Sequence, residues 1–327
     1  MKHFNFDVIK ILITSYCNLN CTHCYQHFDK NIYQLNIDTL YDIVDFAVEN
    51  KTNILDLGGG EFFTHPSAYE LLDYCFVKNI KVNVATNAVD LNLPFFQKYK
   101  GTKLLKMQIS IDGKKETHDI RRGIGTYEHI LNNVQRLYEL GIELSVNMVL
   151  DEYNYYDAID VLEIPYFKNY FFTPIAYTGA AYRNEGSKNF DDYEDTICQI
   201  MRATEYEPFS NQIFPDFLAI KYDGGVYPSP IAADYNLFCF GNVNMTTINS
   251  IVESYYNSSE FKGITNVDAC QIAECNSCEA SLKCNRGCRI RAFKFFGDML
   301  KPDPFYCRIF LDKYKEISLG KLFWGEA

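Results

Sequence analysis

The chain contains no stretch of about 18 uncharged apolar residues, the length from which a membrane-spanning helix is built. Its opening carries Lys2, Asp7 and Lys10 and no long apolar run, so it does not read as a secretory signal. Cations are in the minority: 31 Lys and Arg against 42 Asp and Glu leave a net charge of −11. Counterion release needs clustered cations, which argues against a nucleic-acid surface and against adhesion to anionic lipid. Tryptophan occurs once, and no basic stripe interleaves the 25 Tyr and 25 Phe, which read as core and cleft lining. No solenoid-period repeat and no low-complexity tract is present. What the chain has in quantity is cysteine, twelve in 327 residues. In a chain without an export signal that is not a disulfide framework; metal or redox chemistry is the better reading.

The first half alternates short apolar strands with helix-periodic stretches. Val8–Thr14, Ile54–Leu57, Lys81–Thr86, Leu104–Ile111, Glu143–Leu150 and Tyr170–Thr173 read as strands. Between them, Leu40, Ile43, Val44, Ala47 and Val48 share one helical face, as do Ala68, Leu71, Leu72 and Cys75 after Pro66. Leu91–Tyr99 predicts a short helix, and Tyr127, Ile130, Leu131, Val134, Leu137 and Tyr138 a long one. Strand–helix alternation implies a parallel sheet with right-handed crossovers. Six units are too few for a closed eight-stranded barrel. The expectation is an α/β fold, an open partial (β/α)6 TIM-like barrel over residues 1–190, with its chemistry at the C-terminal ends of the strands. After a polar stretch the pattern changes. Asp223-Gly224-Gly225 between two short apolar runs predicts a hairpin. Six of the twelve cysteines then fall between Cys270 and Cys307. Residues 191–327 are expected to form a small cysteine-rich iron–sulfur domain held together by metal ligation.

Cys17, Cys21 and Cys24 follow the first strand with CxxxCxxC spacing. Three thiolates in eight residues can wrap one metal centre. A closed zinc site needs a fourth ligand, and His23 is adjacent to Cys24 but badly placed to serve. Three cysteines suit a four-iron cluster that keeps one iron open. The second group is Cys275, Cys278, Cys284, Cys288 and Cys307; by spacing alone it is a zinc ribbon or an iron–sulfur site.

CxxxCxxC after the first strand of a βα-repeat chain resembles the radical S-adenosylmethionine superfamily. Gly58-Gly59-Gly60-Glu61 resembles its GGE motif, Thr86-Asn87 its TNG-like turn, and Ser110-Ile111-Asp112-Gly113 with His118-Asp119 and Arg122-Gly123 its S-x-D-G…HD…RG stretch. The resemblance implies a cluster on Cys17, Cys21 and Cys24 that binds S-adenosylmethionine. Gly59, Gly60, Glu61 and Asn87 would meet the cofactor's methionine end, and Ser110, Asp112 and Asn147 the ribose. Arg122 would meet the carboxylate, and His23 stands where relatives place an adenine-contacting aromatic. The cysteine-rich end resembles the SPASM auxiliary-cluster module, which implies a [4Fe–4S] cluster on Cys275, Cys278, Cys284 and Cys307. Two departures stand out: Ser229 and Thr246 occupy positions where cysteines of a second auxiliary cluster are expected. That leaves Cys239, Cys270 and Cys288 either to meet in space around a second cluster or to remain free thiols, with Cys239 a candidate hydrogen donor. Cys75 reads as core, and Cys198 has no assigned role.

The implied activity is reductive cleavage of S-adenosylmethionine to a 5′-deoxyadenosyl radical that abstracts hydrogen from a peptidyl substrate. Maturation of a ribosomally made peptide is the first expectation, with a flavodoxin or ferredoxin as reductase. Because the chain starts at the first strand, a separate leader-recognition protein or direct docking of the peptide is expected. A formylglycine-forming sulfatase maturase and a non-catalytic iron–sulfur electron carrier are the alternatives, and the expected location is cytoplasmic.

Overall fold

The structure, a computed structural model, describes residues 4, 6–24, 31–175, 191–203, 216–258, 271–284 and 287–324. The order is β1 (Val8–Thr14), α1 (Ile37–Glu49), β2 (Ile54–Gly59), α2 (Ala68–Val77), β3 (Lys81–Thr86), α3 (Leu93–Gln97), β4 (Leu105–Ser110), α4 (Lys115–Arg122), α5 (Thr126–Glu139), β5 (Glu143–Leu150), α6 (Ala158–Leu162) and β6 (Asn169–Pro174). These six strands pair in parallel, each with its sequence neighbour. The partial-barrel expectation therefore matches the observed sheet. α4 was not legible as a helix. Its buried residues are His118, Arg121 and Arg122, so it has no apolar stripe to betray it.

The two faces of each strand differ in chemistry, as a period of two requires. The outer face carries Ile9, Ile11, Leu55, Val82, Val84, Met107, Val146 and Met148, all buried beneath the helices. The inner face is polar. Lys10, Asp56, Asn83, Lys106 and Glu143 are register neighbours and form one row across five strands. A closed eight-stranded barrel fills its interior with branched apolar side chains. This half-barrel instead lines it with paired charges and small residues and keeps a cavity of about 380 Å³.

The second half comprises α7 (Asp191–Ala203), β7 (Phe217–Ile220), β8 (Gly225–Tyr227), α8 (Pro230–Asp234), β9 (Gly241–Asn242), α9 (Ile248–Tyr256), α10 (Ala273–Asn276), α11 (Ser281–Cys284), α12 (Arg289–Phe296), α13 (Pro304–Leu311) and α14 (Leu319–Trp324). β7 and β8 form the hairpin expected at Asp223-Gly224-Gly225. β7 also pairs in parallel with β1, so one nine-stranded sheet, ordered β6-β5-β4-β3-β2-β1-β7-β8-β9, runs through both halves. α14 packs on β6, and its Phe323 lines the lumen together with Pro230, Ile231 and Asp234 of α8. The cysteine-rich half thus supplies the wall that six strands leave missing. No helix among the described residues is long and apolar enough to cross a membrane.

A buried ion pair anchors this wall. Arg291 is fully buried between the rings of Phe305 and Phe323, each 4.8 Å away, and its Nε donates to Asp303 at 3.0 Å. Asp303 also caps α13 by accepting from the Phe305 amide and accepts from the Cys288 amide at 2.7 Å. Removing one partner of such a pair leaves an uncompensated buried charge, which costs about 3–5 kcal/mol. Asp303→Ala and Arg291→Met are each expected to lose stability of that order in denaturant unfolding. Equal, sub-kcal effects of both would show that the pair does not hold the wall.

Candidate functional site

The loop after β1 is tied to the end of β2 by two backbone bonds. The Gly60 amide donates to the Thr14 carbonyl and the Glu61 amide to the Tyr16 carbonyl, both at 2.8 Å. The approach is so close that a Cβ on Gly60 would stand 2.3 Å from the Tyr16 oxygen, and one on Gly59, at φ +145°, 2.4 Å from the Thr14 oxygen. Only glycine permits this contact, and Cys17 follows immediately.

Glu61 is buried and ties the ends of β2 and β3 together. Its Oε1 accepts from Thr86 Oγ1 at 2.7 Å and from the Phe63 amide at 3.1 Å, and its Oε2 accepts from the Asn87 amide at 2.7 Å. A carboxylate offers about four acceptor positions, so three donors leave room for one more. Three N–H groups converge on the cysteine sulfurs. Cys17 Sγ receives the Leu19 amide at 3.4 Å and Asn87 Nδ2 at 3.8 Å, and Cys21 Sγ lies 3.9 Å from Arg122 Nη1. Such donors stabilise thiolate and set the potential of an iron–sulfur centre. Burial pushes the Cys17 thiol up to about 11, so in the cluster-free protein it is protonated and ligation displaces the proton.

Asp112 is the hub beneath this loop. It is fully buried; His23 Nε2 lies 2.9 Å from its Oδ2, Arg122 Nε donates to the same oxygen at 2.6 Å, and the Val149 amide donates to Oδ1 at 2.9 Å. Burial alone would raise its pKa, but Arg122 and His23 hold it well below the usual carboxylate range. Its oxygens are thus occupied by the protein itself. With Nε2 as donor, His23 keeps Nδ1 as an acceptor, buried and without a partner among the described residues. His23 borders a cavity that also includes Ile120, Tyr153, Tyr156 and Ile175. Ser110 and Asn147 are register neighbours on the inner edge, and Thr173 Oγ1 donates to Asn147 Oδ1 at 3.0 Å.

His118 was read as part of the motif stretch but without a role, and Arg121, Asp151 and Asn154 escaped the sequence reading. His118 Nδ1 accepts the Asp112 amide at 3.2 Å, Asn154 Nδ2 donates to the Asp112 carbonyl at 3.2 Å, and Arg121 pairs with Asp151. The sequence signal for Arg121 was its position beside Arg122.

Four of the five cysteines of the second group, the set that the SPASM resemblance implies, lie close together. Cys275, Cys278, Cys284 and Cys307 line one small cavity with Asp303 and Tyr306. Burial pushes the Cys307 thiol up to about 12. Cys288 lies elsewhere, buried in an apolar cluster with Ala219, Tyr227, Ala232, Ala233 and Ile290. Cys239 is exposed, with Sγ 3.4 Å from the Gly241 carbonyl, and Cys270 lies outside the described residues. Ser229 is buried and caps α8 by accepting the Ala232 amide at 3.0 Å; Thr246 is exposed. Cys75 is core, on the buried face of α2, and Cys198 is buried in α7. Among the described residues, no three His, Cys, Asp or Glu side chains close around a single ion. A tetrahedral zinc draws its sulfurs to about 2.3 Å, whereas a four-iron cube spaces them by its own width.

Residues 11–163 match the Radical SAM superfamily. This chain carries a radical SAM domain. The domain implies S-adenosylmethionine and a [4Fe–4S] cluster as cofactors. The donor set around Cys17, Cys21 and Cys24 fits that cluster, and the cysteine-rich end is suited to an auxiliary one. The chain is 31% identical over 157 residues to the subtilosin biosynthesis protein AlbA of Bacillus subtilis, covering 46% of this chain and 35% of AlbA. It is 23% identical over 337 residues to the AdoMet-dependent heme synthase of Nitratidesulfovibrio vulgaris, covering 89% of each. Against the highest-scoring curated relatives the chain spans less than half of their length. In fold it is similar to Streptococcus suis SuiB bound to S-adenosylmethionine, with a TM-score of 0.68 at 14% identity over 91% of this chain and 76% of SuiB.

The radical SAM site also carries a pH signature. Burial, and then the charge of Arg122, push His118 down from 6.5 to about 4. A group depressed on folding contributes stability above its unfolded pKa and loses it as pH falls through the folded value. Each unit is worth about 1.36 kcal/mol, so the protein is expected to lose up to about 3 kcal/mol between pH 6.5 and 4 through this residue. Denaturant unfolding at pH 7 and 4.5 should show a smaller loss for His118→Gln than for wild type. An unchanged loss would show that His118 is not held neutral.

Proposed function

We propose that this chain is a radical SAM maturase that takes a hydrogen atom from a carbon of a peptide. One observation carries the reading: a three-cysteine loop zipped to the β2 edge, with N–H donors on its sulfurs, stands apart from a second cavity shared by four cysteines. When bound, the cofactor and its cluster supply the electron and the carbon radical that the reaction needs. The protein's part is positional. Cys17, Cys21 and Cys24 hold the cluster, with Leu19, Asn87 and Arg122 modulating its sulfurs. Gly59, Gly60 and Glu61 form the cradle for the methionine amino group, the remaining acceptor position of Glu61 facing that task. Ser110 and Asn147 take the ribose, and His23 offers Nδ1 to the base. Asp112 fixes His23 and Arg122 from below. The half-barrel lumen receives the substrate and shields it from water. A reductase and a leader-recognition protein complete the system.

Cys275, Cys278, Cys284 and Cys307 hold one auxiliary [4Fe–4S] cluster in this reading. Ser229 is committed to a helix cap and Cys288 to an apolar cluster, so a second auxiliary cluster is not built. A different reading, action on a tetrapyrrole, is favoured by the length of the match to the heme synthase.

The test is anaerobic. Reconstituted protein with S-adenosylmethionine and dithionite should yield 5′-deoxyadenosine, and a variant with Cys17, Cys21 and Cys24 replaced by Ala should yield none. That variant should retain about four irons per chain. Equal product from both proteins would sink the catalytic assignment. About eight irons in the variant would sink the single-auxiliary-cluster assignment. Failure of reduced wild type to bind S-adenosylmethionine would leave an electron carrier.

A further inference from the structure

We propose that Asn133, on α5, is a positioning residue for the cysteine loop: it holds the turn after β3 in a left-handed conformation, and through that turn it sets the reduction potential of the cluster on Cys17, Cys21 and Cys24. The second half of the proposal rests on reading those cysteines as the cluster's ligands. Ala88 follows Thr86 and Asn87 in this turn, with φ +56°. An L-residue there brings its Cβ against the following carbonyl oxygen, so glycine is the usual occupant. Of the seven described non-glycine residues with positive φ, Ala88 alone is buried. Inside the turn, Thr86 Oγ1 accepts the Ala88 amide at 2.9 Å and Asn87 Oδ1 accepts the Val89 amide at 3.0 Å. From outside, Asn133 Nδ2 donates to the Ala88 carbonyl at 2.9 Å and to the Val89 carbonyl at 3.1 Å. Asn133 shares the buried face of α5 with Ile130, Val134 and Leu137 and is only 8% exposed. A polar group on such a face is costly unless it is bonded, and both of these bonds go to the turn.

The turn grips the site from several directions. Thr86 Oγ1 and the Asn87 amide donate to the two oxygens of Glu61, each at 2.7 Å. Asn87 Nδ2 donates to Asn18 Oδ1 at 2.8 Å and lies 3.8 Å from Cys17 Sγ. Asn18 Nδ2 donates in turn to Asp90 Oδ2 at 2.7 Å. Residues 86–90 therefore hold the cysteine loop at Cys17 and Asn18. The Asn87 side chain is aimed by its Oδ1, which accepts the N–H of the Ala88–Val89 peptide. Asn133 bonds the carbonyl of that same peptide. One rigid planar unit is thus held from both sides, with Asn133 on one and the sulfur-facing Asn87 on the other. Without Asn133, Ala88 is free to relax to negative φ, which rotates this peptide and withdraws the N–H that orients Asn87. The sulfur then loses a donor. An N–H on sulfur favours the reduced, more negative cluster, so its loss lowers the potential.

The variants are Asn133→Ala, Asn87→Ala, and Asn133→Ala combined with Ala88→Gly or with Asn87→Ala, each reconstituted anaerobically as the full chain. Two quantities are read: hydrogen exchange over residues 86–90, and the midpoint potential of the cluster whose reduced EPR signal changes on adding S-adenosylmethionine. Asn133→Ala should speed exchange at the turn about tenfold and lower the potential by about 59 mV, a tenfold shift of a one-electron equilibrium. Glycine needs no clamp at this φ, so adding Ala88→Gly should recover most of the wild-type potential, which a merely structural role would not predict. Adding Asn87→Ala should lower the potential no further than Asn87→Ala alone, because one residue acts through the other. Unchanged exchange, an unchanged potential in Asn133→Ala, no recovery with Ala88→Gly, or additive falls with Asn87→Ala would each overturn the proposal. If Asn133→Ala alone does not fold, its combination with Ala88→Gly decides: a wild-type potential supports the clamp, and the potential of Asn87→Ala overturns it. A wild type that holds no iron on Cys17, Cys21 and Cys24 refutes the ligand reading alone, and the exchange measurement then decides the clamp by itself.

Discussion

The site depends on a backbone contact that a single methyl group would break. The end of β2 and the start of the cysteine loop lie so close that a Cβ on Gly59 or Gly60 would clash with the carbonyl oxygen of Thr14 or Tyr16. Two amide–carbonyl bonds close the contact. From that point Cys17 is placed against Asn87, Glu61 reaches across to Thr86, and the remaining cysteines pass over Asp112. Gly59 and Gly60 therefore pin the loop of three cysteines to the sheet.

A second constraint follows from stopping at six strands. An open sheet whose inner face was apolar would expose that face or collapse onto it. Here the row Lys10, Asp56, Asn83, Lys106 and Glu143 satisfies its own charges, so the interior stays open without a hydrophobic penalty. The remaining gap is closed by α8 and α14, which are positioned by the Arg291–Asp303 pair next to the cavity of four cysteines. The four-cysteine cavity and the lumen wall thus share Asp303 and α13.

Much of this was legible in the sequence, for identifiable reasons. Strands such as Leu105–Ser110 alternate strictly, and α5 has an apolar stripe, so period alone places them. The two cysteine groups and Gly58-Gly59-Gly60-Glu61 carry chemistry in their spacing. α4 was not legible because it buries His118, Arg121 and Arg122, which periodicity counts as exposed. The pairing of β7 with β1 was hidden because β7 is only four residues long and finds its partner more than 200 residues back. Asp112 was expected at a ribose. Its full burial among His23, Arg122 and the Val149 amide appears only when three segments are brought together.

The most direct measurement is the iron content and S-adenosylmethionine affinity of Gly60→Ala. The added methyl must displace the Tyr16 backbone, so the loop carrying Cys17, Cys21 and Cys24 should lose its cluster. The four-cysteine cavity, on a different part of the chain, should keep its own. Iron should fall from about eight to about four per chain, with S-adenosylmethionine binding lost and the unfolding transition retained. About eight irons with unchanged cofactor affinity would contradict the claim that this glycine contact builds the site.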